Sequence, residues 1–150
     1  MTLLRYCPLL AAERPLLNKF YRNQGSPMRA AAQGQLWVAR ADEIVAALCL
    51  SEVPGGHWLT GLFVAPPWRG QQVARQLIEA ALDELQGNVW LFCHPHLVSF
   101  YAQQAFKTAD ALPALLAERL ARYQRSKPLL AMVRVQSSLA GSSPGNSTSV

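Results

Sequence analysis

Carboxylates, cysteines and long apolar runs are what this chain has least of. Nine Asp and Glu stand against fourteen Lys and Arg, a formal net charge of +5. Such an excess draws phosphate-bearing partners, and it equally serves plain solubility. No run of like charges concentrates it, which makes nucleic acid the weakest of the candidate partners. Cys7, Cys49 and Cys93 are odd in number and sit in or beside apolar runs. They read as reduced core residues rather than as a disulfide framework or a zinc site, and no metal is expected. No apolar run approaches the ~20 residues that cross a bilayer. The opening MTLLRYCPLLAAERP, broken by Arg5, Pro8 and Glu13, fails as a signal peptide. These absences argue against a membrane and make the cytoplasm the expected compartment. Two nucleotide signatures are also missing, the P-loop G-x-x-x-x-G-K-S/T and the dinucleotide fingerprint G-x-G-x-x-G.

What is present is a globular composition. Hydrophobic residues make up 51% and charged residues 15% of 150 residues, enough for one domain with a core of its own. The chain is organised around Leu62 to Leu85, LFVAPPWRGQQVARQLIEAALDEL. Trp58 to Val64 is apolar or β-branched at most positions and reads as a strand, ended by Pro66 and Pro67. From Val73, the residues Leu77, Ile78, Ala81, Leu82 and Leu85 recur at helical spacing with polar side chains opposite. A strand, a loop and a helix in this order leave unpaired N–H groups at the positive end of a helix dipole, a setting that suits phosphate.

The flanking segments follow the same logic. Leu3 to Cys7 reads as a first strand stopped by Pro8, and Leu9 to Arg22 as helical, with Pro15 near a helix start. Leu36 to Ala41, Ile44 to Ser51 and the Trp58 strand form a meander with turns at Asp42-Glu43 and Val53–Gly56. Val89 to Cys93 is short and wholly apolar, as in a buried strand lying parallel to the Trp58 strand. Leu97 to Ala105 reads as a helix, Asp110 as the cap of another beginning at Leu112–Pro113, and Leu129 to Val135 as the last strand. Residues 136–150 are rich in Ser and Gly and are expected to be a disordered tail behind a domain of residues 1–135. No internal repeat is visible.

Val64-x-Pro66-x-x-Arg69-Gly70-Gln71-Gln72-Val73-Ala74 resembles motif A of the GNAT superfamily of N-acetyltransferases, V-x-P-x-x-R-G-x-G-x-G/A before an apolar helix. Val64, Pro66, Arg69, Gly70 and Ala74 match, while Gln72 stands where the family usually has Gly. A second motif of that family, N-x-x-A followed by an apolar residue and Tyr and ending in Gly-Phe, falls on His94 to Phe106. Tyr101 and Phe106 match there, His94 replaces the Asn, and Ala105 replaces the Gly. The order of elements also agrees, from about Leu3 to Val135.

The resemblance implies an α+β fold: a mostly antiparallel sheet with strands 4 and 5 parallel and splayed around the coenzyme, and helices on both faces. It implies acetyl-coenzyme A as cosubstrate and direct transfer of the acetyl group to a primary amine of a small molecule or protein. The coenzyme would meet the backbone of Leu62, Phe63 and Val64, the loop and helix start at Arg69, Gly70, Gln71, Gln72, Val73 and Ala74, and His94. Tyr101 is the candidate general acid for the leaving thiolate, since a thiol ordinarily titrates near 8.5. For the base, Glu52 stands at the end of a strand beside the meander turn, near where many family members keep a glutamate. Imidazoles, the side chains that ordinarily exchange protons nearest neutrality, bring in His57, His94 and His96 as well. In this fold the first helix region usually chooses the acceptor, which singles out Tyr21, Arg22 and Arg29, with Arg29 suited to a carboxylate. Two alternatives stand beside the transferase: a GNAT-fold module that senses an acyl-coenzyme A without transfer, and a basic protein that binds nucleic acid. A homodimer is left open.

Overall fold

Residues 3–31 and 33–136 are described in a computed structural model of the chain. The elements are β1 (Arg5–Leu9), a 3-10 turn (Ala11–Glu13), α1 (Arg14–Asn23), β2 (Gln35–Arg40), β3 (Ile44–Val53) and β4 (Gly56–Val64). A 3-10 turn (Pro66–Trp68), α2 (Val73–Leu82), β5 (Gly87–Cys93) and a third 3-10 turn (Pro95–Leu97) follow. The rest is α3 (Val98–Ala102), β6 (Lys107–Thr108), α4 (Ala114–Tyr123) and β7 (Leu130–Gln136). The strands join a seven-stranded sheet in the order β1-β2-β3-β4-β5-β7-β6. β1–β2, β2–β3, β5–β7 and β6–β7 are antiparallel, and β4–β5 is parallel. This is the mixed α+β architecture expected, including the parallel fourth and fifth strands.

The chain divides into two compact units, one formed by residues up to Ser51 together with Leu59–Glu84, the other by Glu52–Trp58 together with residues from Leu85. In the first, Leu36 and Val38 of β2 and Ala47 and Cys49 of β3 pack with Leu17, Phe20 and Tyr21 of α1. The intervening Ala39, Ala46, Leu48 and Leu50 are buried too, so both faces of these strands are covered, and α2 packs against β1 and β2. The buried residues of α2 are Val73, Leu77, Ile78, Ala81 and Leu82, the stripe its periodicity requires. In the second unit the parallel pairing runs from Gly56↔Asn88 to Trp58↔Trp90. Trp58, Trp90, Leu116 and Val133 form the core there, and the Arg119 guanidinium lies 4.9 Å from the Trp58 ring centroid, a cation–π contact.

Several local expectations change. β1 continues through Pro8, which pairs with Trp37, to Leu9. The strand survives because β1 sits at the end of the sheet, the one place a residue without an N–H is tolerated. Asp110 caps nothing: α4 has Pro113 at its N-cap, with no side-chain cap bond. Proline disfavours helical backbone at Leu112, and the helix therefore starts later. The expected helix from Leu97 to Ala105 is a 3-10 turn and five α-helical residues. The expected tail falls outside the described residues from 137 onward; Gln136 itself ends β7 and donates to the Leu85 carbonyl at 3.2 Å.

Candidate functional site

The first unit presents the motif after β4. The chain leaves Val64 through Pro66 and Pro67 and turns at Gly70, whose φ is +79° and where an added Cβ would meet nothing within 4 Å. Glycine is needed at this point for the backbone angle, and the space beside it stays open. Gln72 is the N-cap of α2 with φ 63° and ψ 20°, left-handed backbone that a side chain makes costly. The Gln72 side chain is taken up locally, because Arg75 Nε donates to its Oε1 at 2.8 Å.

The amides of this turn are unspent. Gln76 N–H donates to the Gln72 carbonyl at 3.0 Å and begins the helical ladder. Among the described residues, the N–H groups of Gly70, Gln71, Gln72, Val73, Ala74 and Arg75 meet no backbone or side-chain acceptor. A glycine turn without steric obstruction, followed by free donors at a helix N-terminus, fits a pyrophosphate. Arg69, expected at the coenzyme, also braces the loop. Its Nε donates to the Val64 carbonyl at 2.8 Å, and its guanidinium lies 5.1 Å from the Phe63 ring centroid. It staples the loop back onto the end of β4. Gln71 closes the loop on itself by donating through Nε2 to the Pro67 carbonyl at 3.2 Å.

β4 is also gripped from α1. Gly61 has φ +67° in mid-strand, and its carbonyl accepts a 2.6 Å hydrogen bond from the hydroxyl of Tyr21. Tyr21 is fully buried, with Cys49 beside its hydroxyl. Burial, and then Cys49, push its pKa above the ordinary phenol value. Tyr21, expected at the acceptor, is thus a buried residue whose hydroxyl is bonded to β4. Arg22 and Arg29 are exposed and line one cleft with Asn18 and Ser26.

The second unit holds the other candidates. Tyr101 is 8% exposed, with the rings of Phe100 and Phe106 at 5.0 and 5.8 Å. Burial first, and Cys93 second, push its pKa up, and among the described residues nothing accepts from its hydroxyl. Phe106 N–H closes on the Tyr101 carbonyl at 3.1 Å across Ala105, which has φ 67°. His94 begins the turn after β5, its carbonyl accepting from Leu97 N–H at 2.9 Å, and its ring lies 5.8 Å from that of His96. Glu52 is an exposed residue of β3 next to the turn into β4, and His57 lies in β4 with Nδ1 buried and unpartnered. Among the described residues no three His, Cys, Asp or Glu side chains gather as a metal site would need. No helix among them is long and apolar enough to cross a membrane.

A family model described as acetyltransferase (GNAT) family matches residues 6–106. No curated protein matches the chain. Among solved structures, a GNAT-family acetyltransferase of Staphylococcus aureus Mu50 is 14% identical with a TM-score of 0.60, covering 88% of this chain and 98% of that one. Naa50 of Arabidopsis thaliana, in complex with the bisubstrate analogue CoA-Ac-MVNAL, is 13% identical with a TM-score of 0.63, over 87% of this chain and 97% of that one. N-acetylglutamate synthase of Neisseria gonorrhoeae, complexed with coenzyme A and N-acetyl-glutamate, is 14% identical with a TM-score of 0.65, over 89% of this chain and 35% of that one. At these identities the likeness is one of fold.

Proposed function

Because the chain belongs to the acetyltransferase (GNAT) family, we propose that it moves an acetyl group from acetyl-coenzyme A directly to a primary amine. The observation that carries this reading is the run of free amides from Gly70 to Arg75 on an unobstructed turn at the head of α2. Those of Gly70, Gln71, Gln72, Val73 and Ala74 receive the pyrophosphate, and Arg69 holds their loop in shape. The coenzyme supplies an activated thioester. The backbone of Leu62, Phe63 and Val64 polarises its carbonyl, as preorganised dipoles do where charge develops. His94 contacts the coenzyme, and Arg29 with its neighbours receives the acceptor. The transferase domain is residues 1–135, and three free cysteines, two of them buried, suit a reducing cytoplasm.

Across the reaction the amine loses a proton and the sulfur gains one. Glu52 or a histidine takes the first, directly or through water. Tyr101 faces the second. Burial keeps its phenol protonated through the neutral range, so it is a donor. A thiol ordinarily titrates near 8.5 and holds its proton less tightly than this phenol. Tyr101 therefore acts chiefly by donating a hydrogen bond to the sulfur as negative charge builds there, and the departing thiolate takes its proton from solvent water.

The test is incubation of the purified chain with acetyl-coenzyme A and a panel of amines, read by release of free thiol. Amine-dependent release is expected. Saturable coenzyme binding with no release across a broad panel would instead establish the second reading, an acyl-coenzyme A sensor. The side chains that Gln72 and Ala105 bring where the family usually has glycine, and His94 in place of its Asn, motivate that reading.

A further inference from the structure

Arg14, Asn18 and Arg22 follow one another four residues apart, so they share one face of α1, while Leu17, Phe20 and Tyr21 turn to the core. Two adjoining clefts open on that face. One, of about 250 Å³, is lined by Asn18, Arg22, Ser26, Pro27, Met28 and Arg29. The other, of about 530 Å³, is lined by Ala11, Ala12, Arg14, Pro15 and again Asn18 and Arg22. Neither has a carboxylate in its walls. From Arg14 to Ala41 the sequence contains no acid, while Arg14, Lys19, Arg22, Arg29 and Arg40 are all cationic. Glu13, just before this stretch, is drawn to Arg40 at 3.6 Å. Among the described residues no carboxylate pairs with Arg14, Arg22 or Arg29.

The walls are built rather than loose. Arg14 Nε donates to the Ala31 carbonyl at 3.0 Å, which fixes the plane of its guanidinium. Asn18 Oδ1 accepts from Ala30 N–H at 2.7 Å, leaving its amide NH2 as a donor without a partner among the described residues. Ser26 N–H closes on the Tyr21 carbonyl at 3.0 Å, and Ser26 Oγ accepts from Met28 N–H at 3.1 Å. Arg22 and Arg29 line the smaller cleft and Arg14 with Arg22 the adjoining one, so each cleft carries two guanidiniums and no carboxylate, a balance of charge that favours an anion. An arginine fork matches a planar or tetrahedral oxyanion through paired N–H groups. The same helix is anchored to β4 through Tyr21.

We propose that this cleft receives an oxyanion, a carboxylate or a phosphate, carried by the amine that is acetylated. Arg22 and Arg29 grip it and Arg14 adds its field. The acceptor is then an anionic amine, and polycationic amines and lysine-rich peptides are turned away. This rests on the transferase reading, deepening it to a substrate class.

The test compares matched acceptors by thiol release: β-alanine with its amide, and phosphoethanolamine with ethanolamine. The anionic member of at least one pair is expected to lead in kcat/KM. In Arg22→Gln/Arg29→Gln that preference is expected to fall about ten- to a hundredfold, the range of one charge-assisted hydrogen bond. The loss should sit in KM rather than kcat, with partial return in Arg29→Lys. A second arm reads the melting temperature with succinate or inorganic phosphate alone, and expects a shift in the unaltered chain that the double variant loses. The two pairs and the two anions distinguish carboxylate from phosphate. An Arg-dependent anion shift without thiol release from any amine would leave the cleft standing and sink the transferase. Equal rates for charged and neutral acceptors, or a preference untouched by the double variant, would overturn the proposal. So would a double variant whose main defect is weaker acetyl-coenzyme A binding.

Discussion

Two buried phenols do different work in the two units. Tyr21 spends its hydroxyl on the Gly61 carbonyl, and that of Tyr101 has no acceptor among the described residues. Tyr101→Phe is expected to lower turnover at least about tenfold, the low end for a positioned proton donor, with acetyl-coenzyme A affinity nearly unchanged. An unaltered rate would remove Tyr101 from the mechanism. Tyr21→Phe leaves the Gly61 carbonyl short of a partner and is expected to cost about 1–3 kcal/mol in denaturant unfolding. Both phenols also set a pH limit. Their folded pKa values lie above the ordinary value of 10.0, so the folded state holds these protons more tightly than the unfolded chain does. The stability linked to them is complete below pH 10 and is lost as pH rises beyond it. Melting temperature should therefore fall on the alkaline side above pH 10, less steeply in Tyr21→Phe than in the unaltered chain. A melting temperature flat well past that pH would contradict the burial of both groups.

At the scale of elements, the two departures from the family's glycines acquire one physical meaning. Gln72 and Ala105 are the only non-glycine residues with positive φ among those described. The backbone adopts the left-handed angle that glycine takes freely, and the side chain is carried at a cost. Around Ala105 the turn also explains the spacing of the second motif. Phe106 N–H bonds to the Tyr101 carbonyl, and the two rings touch across the turn, the hydrogen bond and apolar contact of a Schellman helix end. α1 closes in the same way from Ser26 to Tyr21, with Gly25 in the left-handed place. Ala105→Gly is therefore expected to stabilise the chain by about 1 kcal/mol, relief of left-handed strain exceeding the added freedom of the unfolded state. Gln72→Gly gains less, since it also gives up the bond from Arg75. A fall in the denaturation midpoint of Ala105→Gly would refute the account.

For the molecule as a whole, periodicity carried most of the fold. β2 to β5 and α2 were legible because alternation, short apolar runs and a helical stripe each mark one kind of burial. Two-residue β6 has no period to read, and Pro8 misled because only the sheet order shows that β1 is an edge. At the site, motif spacing pointed to Gly70 and the α2 amides. It did not reveal that Arg69 folds back on Val64 or that Tyr21 belongs to the core, since both depend on contacts made only after folding. The coenzyme reading has a global consequence as well. Acetyl-coenzyme A at about a hundred times its dissociation constant should add roughly 2.7 kcal/mol of stability, a rise in melting temperature of several degrees for a chain of this size. No shift at millimolar coenzyme would count against both the transferase and the sensor.

Pro8 has one more consequence, for behaviour in concentrated solution. An open strand edge invites another chain to pair with it and is where sheet proteins begin to aggregate. Here β1 lacks one backbone donor at Pro8 and begins at Arg5, while β6 at the other end offers only Lys107 and Thr108. A proline, an arginine, a lysine and a strand too short to template anything guard the two ends of the sheet against strand-by-strand association.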